Sequence, residues 1–184
     1  MLLIKATVRT SPIAGLGLFA EEPVPIGSVA AIYSHGLSLI PESEYVARTA
    51  AGDEVAIKTA CRYIHDIYII RESGVEDEDY VNHSFTPNML YHCGICFARR
   101  EITPGEELTI NYQYVLSPRE EGFVDSLTGR YVAGLSNNQV LFRTSREIVA
   151  LMRACLAGET RSKVVAYPAA MKARVRRQRR SKPA

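Results

Sequence analysis

The sequence predicts a β-rich fold with only a few helices, and three observations carry that prediction. Short stretches alternate apolar and polar residues with period two, Gly, Pro, Asn and Asp break them at close intervals, and a single later stretch has the apolar spacing of a long helix. At 184 residues and 47% apolar content, the chain can fill one core of its own.

Taken in order, "LLIKATVR" puts Leu2, Ile4, Ala6 and Val8 on one side, which predicts an opening strand. "SPIAGLGLFAEEPVPIG" follows as a constrained loop holding a short strand. "SVAAIY" predicts a strand, "PESEYVART" a short helix with Pro41 in its first turn, and "EVAIK" and "DIYII" two more strands. The acidic run "RESGVEDEDY" is most simply a solvated loop. "GFVDSLTGRYVAG" predicts a hairpin turning around Thr128 and Gly129. In "TSREIVALMRACLAG", Thr144 and Glu147 have capping-box spacing, while Ile148, Leu151, Met152 and Cys155 form one stripe, so a helix is expected from about 145 to 157.

The charge is divided unevenly. Residues 161–184 hold nine of the 22 Lys and Arg and no acid, which leaves 13 bases against 20 acids, or −7, before them. The tail is expected to be disordered, and phosphate contact with nucleic acid is its preferred use. The four cysteines are too few and too irregular for a disulfide scaffold, and no run is long enough to cross a membrane. Both point to a soluble protein of the cytoplasm, with the nucleus as the alternative that the basic run allows. Cys93-Gly94-Ile95-Cys96 has the spacing of half a zinc or redox site; buried hairpin thiols are the preferred reading, and no metal is expected.

Three separated motifs carry the chemistry: "GLGLFA" at Gly15, "NHSFTPN" at Asn82 and "PGEELTINYQY" ending at Tyr114. Their order and spacing resemble those of the SET-domain protein lysine methyltransferases, in a small form without the cysteine-rich zinc segment that commonly follows the catalytic tyrosine. The resemblance implies small curved sheets in a β-clip type fold, with the Asn-His and Tyr segments threaded past each other as a pseudoknot. It implies a SET domain over residues 1–116, a C-terminal helical cap over 117–160 and the basic tail beyond. S-adenosylmethionine is the cofactor it implies, with Gly15, Gly17 and Leu18 lining the methionine end and Asn82 and His83 holding the amino and adenine groups. Tyr112 matches the active-site tyrosine and borders the cofactor, Tyr91 and Tyr33 match further channel tyrosines, and Tyr114 an aromatic wall. Asn111 stands where many members have Asp.

These residue types suit the reaction. A lysine amine with a pKa of about 10.4 is neutral in roughly one molecule in two thousand at pH 7, and only the neutral form is a nucleophile. A dry aromatic channel disfavours the ammonium, and tyrosine hydroxyls can orient the lone pair without acting as a base. The Tyr91 hydroxyl would restrict room for further methyls, which leans toward monomethylation. A basic protein, histone-like, ribosomal or other, is the expected partner of an acidic body. The alternative is a non-catalytic SET-like module that binds a basic peptide or nucleic acid. The tail lysines Lys163, Lys172 and Lys182 are further candidate acceptors through tethering.

Overall fold

The computed structural model describes residues 1–33 and 37–159. Among them, twelve short strands form five sheets of two or three strands, accompanied by three α-helices and two 3-10 turns. The basic tail and its lysines lie outside the described residues, as do Ser34, His35 and Gly36.

β1 (Ala6–Thr10) pairs antiparallel with β2 (Leu16–Ala20). Leu2, Ile4, Ala6 and Val8 all pack on the main core, as their alternation predicts, although Leu2 bridges Ala31 and the ladder starts only at Ala6. β3 (Val29–Ile32) is the strand expected in "SVAAIY". β4 (Leu37–Pro41) runs into α1 (Glu42–Ala50), with Pro41 as the extended residue just before the helix.

The strand expected in "EVAIK" is instead α2 (Glu54–Thr59). Asp53 accepts from the backbone N–H groups of Val55 and Ala56, Lys58 bonds Glu54 one turn back, and Ala56 and Thr59 are the residues buried. A cap and one small buried side chain outweigh the β-branched character of Val55 and Ile57. β5 (Cys61–Ile64) and β6 (Ile67–Arg71) then form a hairpin, and β6 also pairs with β4. A satellite core of Ile40, Tyr45, Ala56, Tyr68 and Ile70 holds this subunit of structure together, with Tyr45 and Tyr68 stacked at 4.1 Å.

The acidic run is not a solvated loop throughout. Asp77–Tyr80 form a 3-10 turn in which Glu78 is 3% exposed, and Glu78 and Asp79 close on Arg71. β7 (Asn82–His83) follows directly. β8 (Met89–His92) and β9 (Ile95–Ala98) form a hairpin whose two turn residues, Cys93 at φ 48° and Gly94 at φ 79°, both have positive φ. The Cys-x-x-Cys spacing is therefore that of a tight turn: Cys93 sits at the bend, Cys96 is buried opposite Tyr91, and all four cysteines are free.

β10 (Thr109–Ile110) pairs in parallel with β7, and a second 3-10 turn spans Tyr112–Tyr114. β11 (Phe123–Val124) and β12 (Tyr131–Val132) make the expected hairpin. α3 (Asn137–Glu159) begins two turns before the predicted start. Ser136 and Gln139 form the capping interactions, with the Ser136 N–H donating to Gln139 Oε1 at 3.0 Å and the Gln139 N–H to Ser136 Oγ at 3.4 Å. Thr144 is instead buried mid-helix, its hydroxyl donating to the Val140 carbonyl. No helix among the described residues is long and apolar enough to cross a membrane.

Candidate active site

The short parallel pair decides where the chemistry meets. Thr109 lies beside Asn82 and Ile110 beside His83, so the Asn-His segment runs alongside the strand that ends at Tyr112. Asn88 of the Pro-Asn holds this crossing from beneath: buried to 3% exposure, it donates to the Glu107 carbonyl at 2.8 Å and accepts from the Thr109 N–H at 2.9 Å. Asn111 caps the turn that presents Tyr112, accepting from the Gln113 N–H at 3.0 Å.

On one side of the crossing lies a polar lock. The Asn82 amide is directed at the carbonyls of Ala14 at 3.2 Å and Leu16 at 3.0 Å and at Glu107 Oε1 at 2.7 Å. Ser11 Oγ donates to the same carboxylate at 2.7 Å. A Cβ at Gly17 would overlap the Glu107 carboxylate, so any larger residue would push that carboxylate out of the lock. Gly15 has φ +48°, a conformation L side chains rarely adopt, and the space above it is open. Leu18 is fully buried in the core, and its carbonyl is taken by the Leu108 N–H at 2.7 Å. Glu107 and Ser11 were not singled out from sequence, Glu107 being one of two adjacent acids in "PGEEL".

His83 sits between this lock and the tyrosines. Its Nδ1 accepts from the Tyr112 N–H at 3.0 Å, which assigns the ring proton to Nε2. Nε2 is buried and has no partner, a donor lacking an acceptor. Burial also lowers the His83 pKa below the ordinary histidine value, so the ring is neutral at pH 7. Phe85, Tyr112 and Phe123 approach it edge-on at 4.7, 5.6 and 5.9 Å, and Arg130 lies 3.7 Å above the Phe85 ring.

On the other side the tyrosines gather. Tyr112 donates to the Val81 carbonyl at 2.7 Å, and Tyr33 to the Glu78 carbonyl at 2.7 Å. Tyr91 meets Tyr33 edge-on at 6.0 Å, donates to the Arg62 carbonyl and lies 3.2 Å from Cys61 Sγ. Desolvation pushes the Tyr112 pKa up to about 12 even though the residue is partly exposed, because its hydroxyl end is turned inward. Tyr33 and Tyr91, both buried, are raised well above the ordinary value for the same reason. None of the three is a base at neutral pH.

Beside Tyr91 lies a gap no larger than a water molecule, lined by Arg62, Tyr63, Tyr91, Tyr114, Val140 and Thr144 and not by Tyr112 or Tyr33. α3 forms its far wall, tied down where Thr144 Oγ1 meets His92 Nδ1 at 2.8 Å and where Tyr114 donates to Glu147 at 2.8 Å. The structure thus brings Asn82, His83, Tyr112, Tyr33 and Tyr91 together, with Gly15 and Gly17 at the polar edge. Among the described residues, no group of three or more His, Cys, Asp or Glu is arranged to hold a metal ion.

A family model described as SET domain matches residues 15–113, more than half of the 184. No curated protein matches the chain.

Proposed function

The chain belongs to the SET domain family, and on that premise we propose that it is a protein lysine methyltransferase, moving a methyl group from S-adenosylmethionine to a lysine amine of a protein. The observation that carries this reading is the parallel crossing of β7 and β10, which sets Asn82 and His83 beside Tyr112.

The polar edge fits the cofactor. His83 Nε2 is an enclosed donor without an acceptor, and open space lies over the backbone at Gly15. Gly15, Gly17 and Asn82 would hold the amino-acid end, His83 the base, and Phe123 of the β11–β12 hairpin would wall that side. When bound, the cofactor supplies a methyl group on a sulfonium, a good leaving group.

The residues of the chain do the remaining work by position. The Tyr112 and Tyr33 hydroxyls already spend their protons on backbone carbonyls, so their oxygen lone pairs are left to accept from an amine N–H. An amine held in this way points its own lone pair in one direction. With tyrosine pKa values raised, the amine loses its proton to solvent before attack and not to a side chain. The lysine would approach from the tyrosine side, opposite the polar lock, and residues 117–159 would form the cap over that side. A Tyr91 hydroxyl close to the amine would restrict room for further methyls and favours monomethylation.

The acceptor is a basic protein, histone-like or ribosomal in composition, that suits the net −7 of residues 1–160. The basic tail would add phosphate contacts with nucleic acid.

Transfer of radiolabelled methyl from S-adenosylmethionine to histones, to ribosomal proteins and to the protein alone tests the reading. Label with wild type that falls about a hundredfold with Tyr112→Phe is expected. A wild type that binds neither cofactor nor passes label would overturn it.

A further inference from the structure

The two hydroxyls that would orient the amine are anchored on one short segment, and a buried arginine, with the Met1 amino group beside it, holds that segment. Arg71, the last residue of β6, is completely buried. Its guanidinium donates to Glu78 Oε1 at 2.7 Å and to Asp79 Oδ2, and its Nε lies 3.9 Å from Glu76 Oε1. Asp79 Oδ2 in turn accepts from the Glu76 N–H at 2.9 Å, which closes the turn on itself. The Met1 amino group also meets Glu78. Thr59 clamps the main chain of Arg71, its hydroxyl accepting from the Arg71 N–H at 3.2 Å and reaching the Arg71 carbonyl at 3.3 Å.

The carbonyls presented by this clamped stretch are those of Glu78, which takes the Tyr33 hydroxyl, and Val81, which takes the Tyr112 hydroxyl. Asn82 and His83 come next in the chain but have their own holdings, in the Ala14, Leu16 and Glu107 contacts and in the pairing with β10. The clamp therefore acts on the tyrosines selectively.

The geometry points to Arg71 as a positioning residue: its ion cluster with Glu78 and Asp79 fixes the two carbonyls that aim the Tyr33 and Tyr112 hydroxyls. This rests on the methyltransferase reading for its consequence but not for its geometry. A buried ion cluster is an expensive way to gain stability, since apolar residues of the same shape commonly do as well. What such a cluster gives that apolar packing does not is directional hold on a specific turn.

Two conservative variants of the full chain test it, Asp79→Asn, which keeps the shape and removes one charge, and Arg71→Lys, which keeps the charge and removes the fork. Tyrosines labelled with 13C at the ring Cζ are followed by NMR, with Tyr33→Phe and Tyr112→Phe giving the assignments and Tyr45, anchored on Glu120, as the internal control. The expected result in both variants is movement of the Tyr33 and Tyr112 signals with Tyr45 unmoved, a melting curve still cooperative, and cofactor Kd within about threefold of wild type. Methyl transfer in the same samples is expected to lose at least about tenfold in kcat with little change in KM for cofactor. Tyr33 and Tyr112 signals that stay in place in folded Asp79→Asn and Arg71→Lys would overturn the assignment, whether or not the enzyme turns over. Signals that move in a protein whose wild type never transfers methyl would uphold the clamp and defeat the functional reading instead.

Discussion

The two halves of the candidate site are built in opposite ways. The half that would hold the cofactor is a partly exposed lock of side chain on backbone, in which one carboxylate, Glu107, gathers Asn82 and Ser11 against a loop of glycines. The tyrosine half is dry, its hydroxyls spent on main-chain carbonyls that a buried arginine holds still. A lock near the surface can exchange its own contacts for those of a ligand at little cost, because every group in it has an alternative partner in water. Buried hydroxyls have no such alternative, so they keep one direction before and after a substrate arrives. On the proposed function, binding falls to the adaptable half and alignment to the rigid one.

Gly17→Val should disturb this division most. The side chain would displace Glu107 and crowd Ser11, so thermal unfolding should show a loss of about 2 kcal/mol, and titration should show cofactor affinity weakened at least tenfold. A smaller effect is expected from acid. Burial lowers the His83 pKa, so the folded state holds that proton less tightly than the unfolded chain does; stability is full above the ordinary value of 6.5 and falls as pH drops below it. Melting temperature measured from about pH 7.5 to about pH 5 should fall less steeply in His83→Gln than in the wild type; His92, which burial lowers in the same way, adds to the fall, while the buried Asp79 carboxyl, pushed up to about 6, opposes it in both proteins. Ser136→Ala should touch neither half: loss of the α3 cap costs about 1 kcal/mol in melting experiments, with cofactor affinity unchanged.

Much of this was legible from the sequence where a local signal carries the information. Period-two alternation located β1, and turn residues located β2 and the β11–β12 hairpin. The helix start could not be read in this way: Ser136-x-x-Gln139 and Thr144-x-x-Glu147 have the same capping spacing, and only packing of Thr144 against His92 shows which one lies inside the helix. "EVAIK" looked like a strand because Val55 and Ile57 alternate, while the decisive Asp53 cap lies outside the run. The site motifs could be read because each keeps its punctuation over a short span. Glu107, Asn88 and the Arg71 cluster could not, because their meaning comes from partners far along the chain; an acidic run looks solvated until a buried arginine is found beneath it.

The division of labour is tested most directly by equilibrium binding of S-adenosylmethionine to wild type, Asn82→Ala and Tyr112→Phe, with methyl transfer measured on the same samples. The account predicts that Asn82→Ala loses affinity at least tenfold, that Tyr112→Phe keeps affinity within about threefold, and that both lose transfer. Equal loss of affinity in the two variants, or a wild type that does not bind the cofactor, would contradict it.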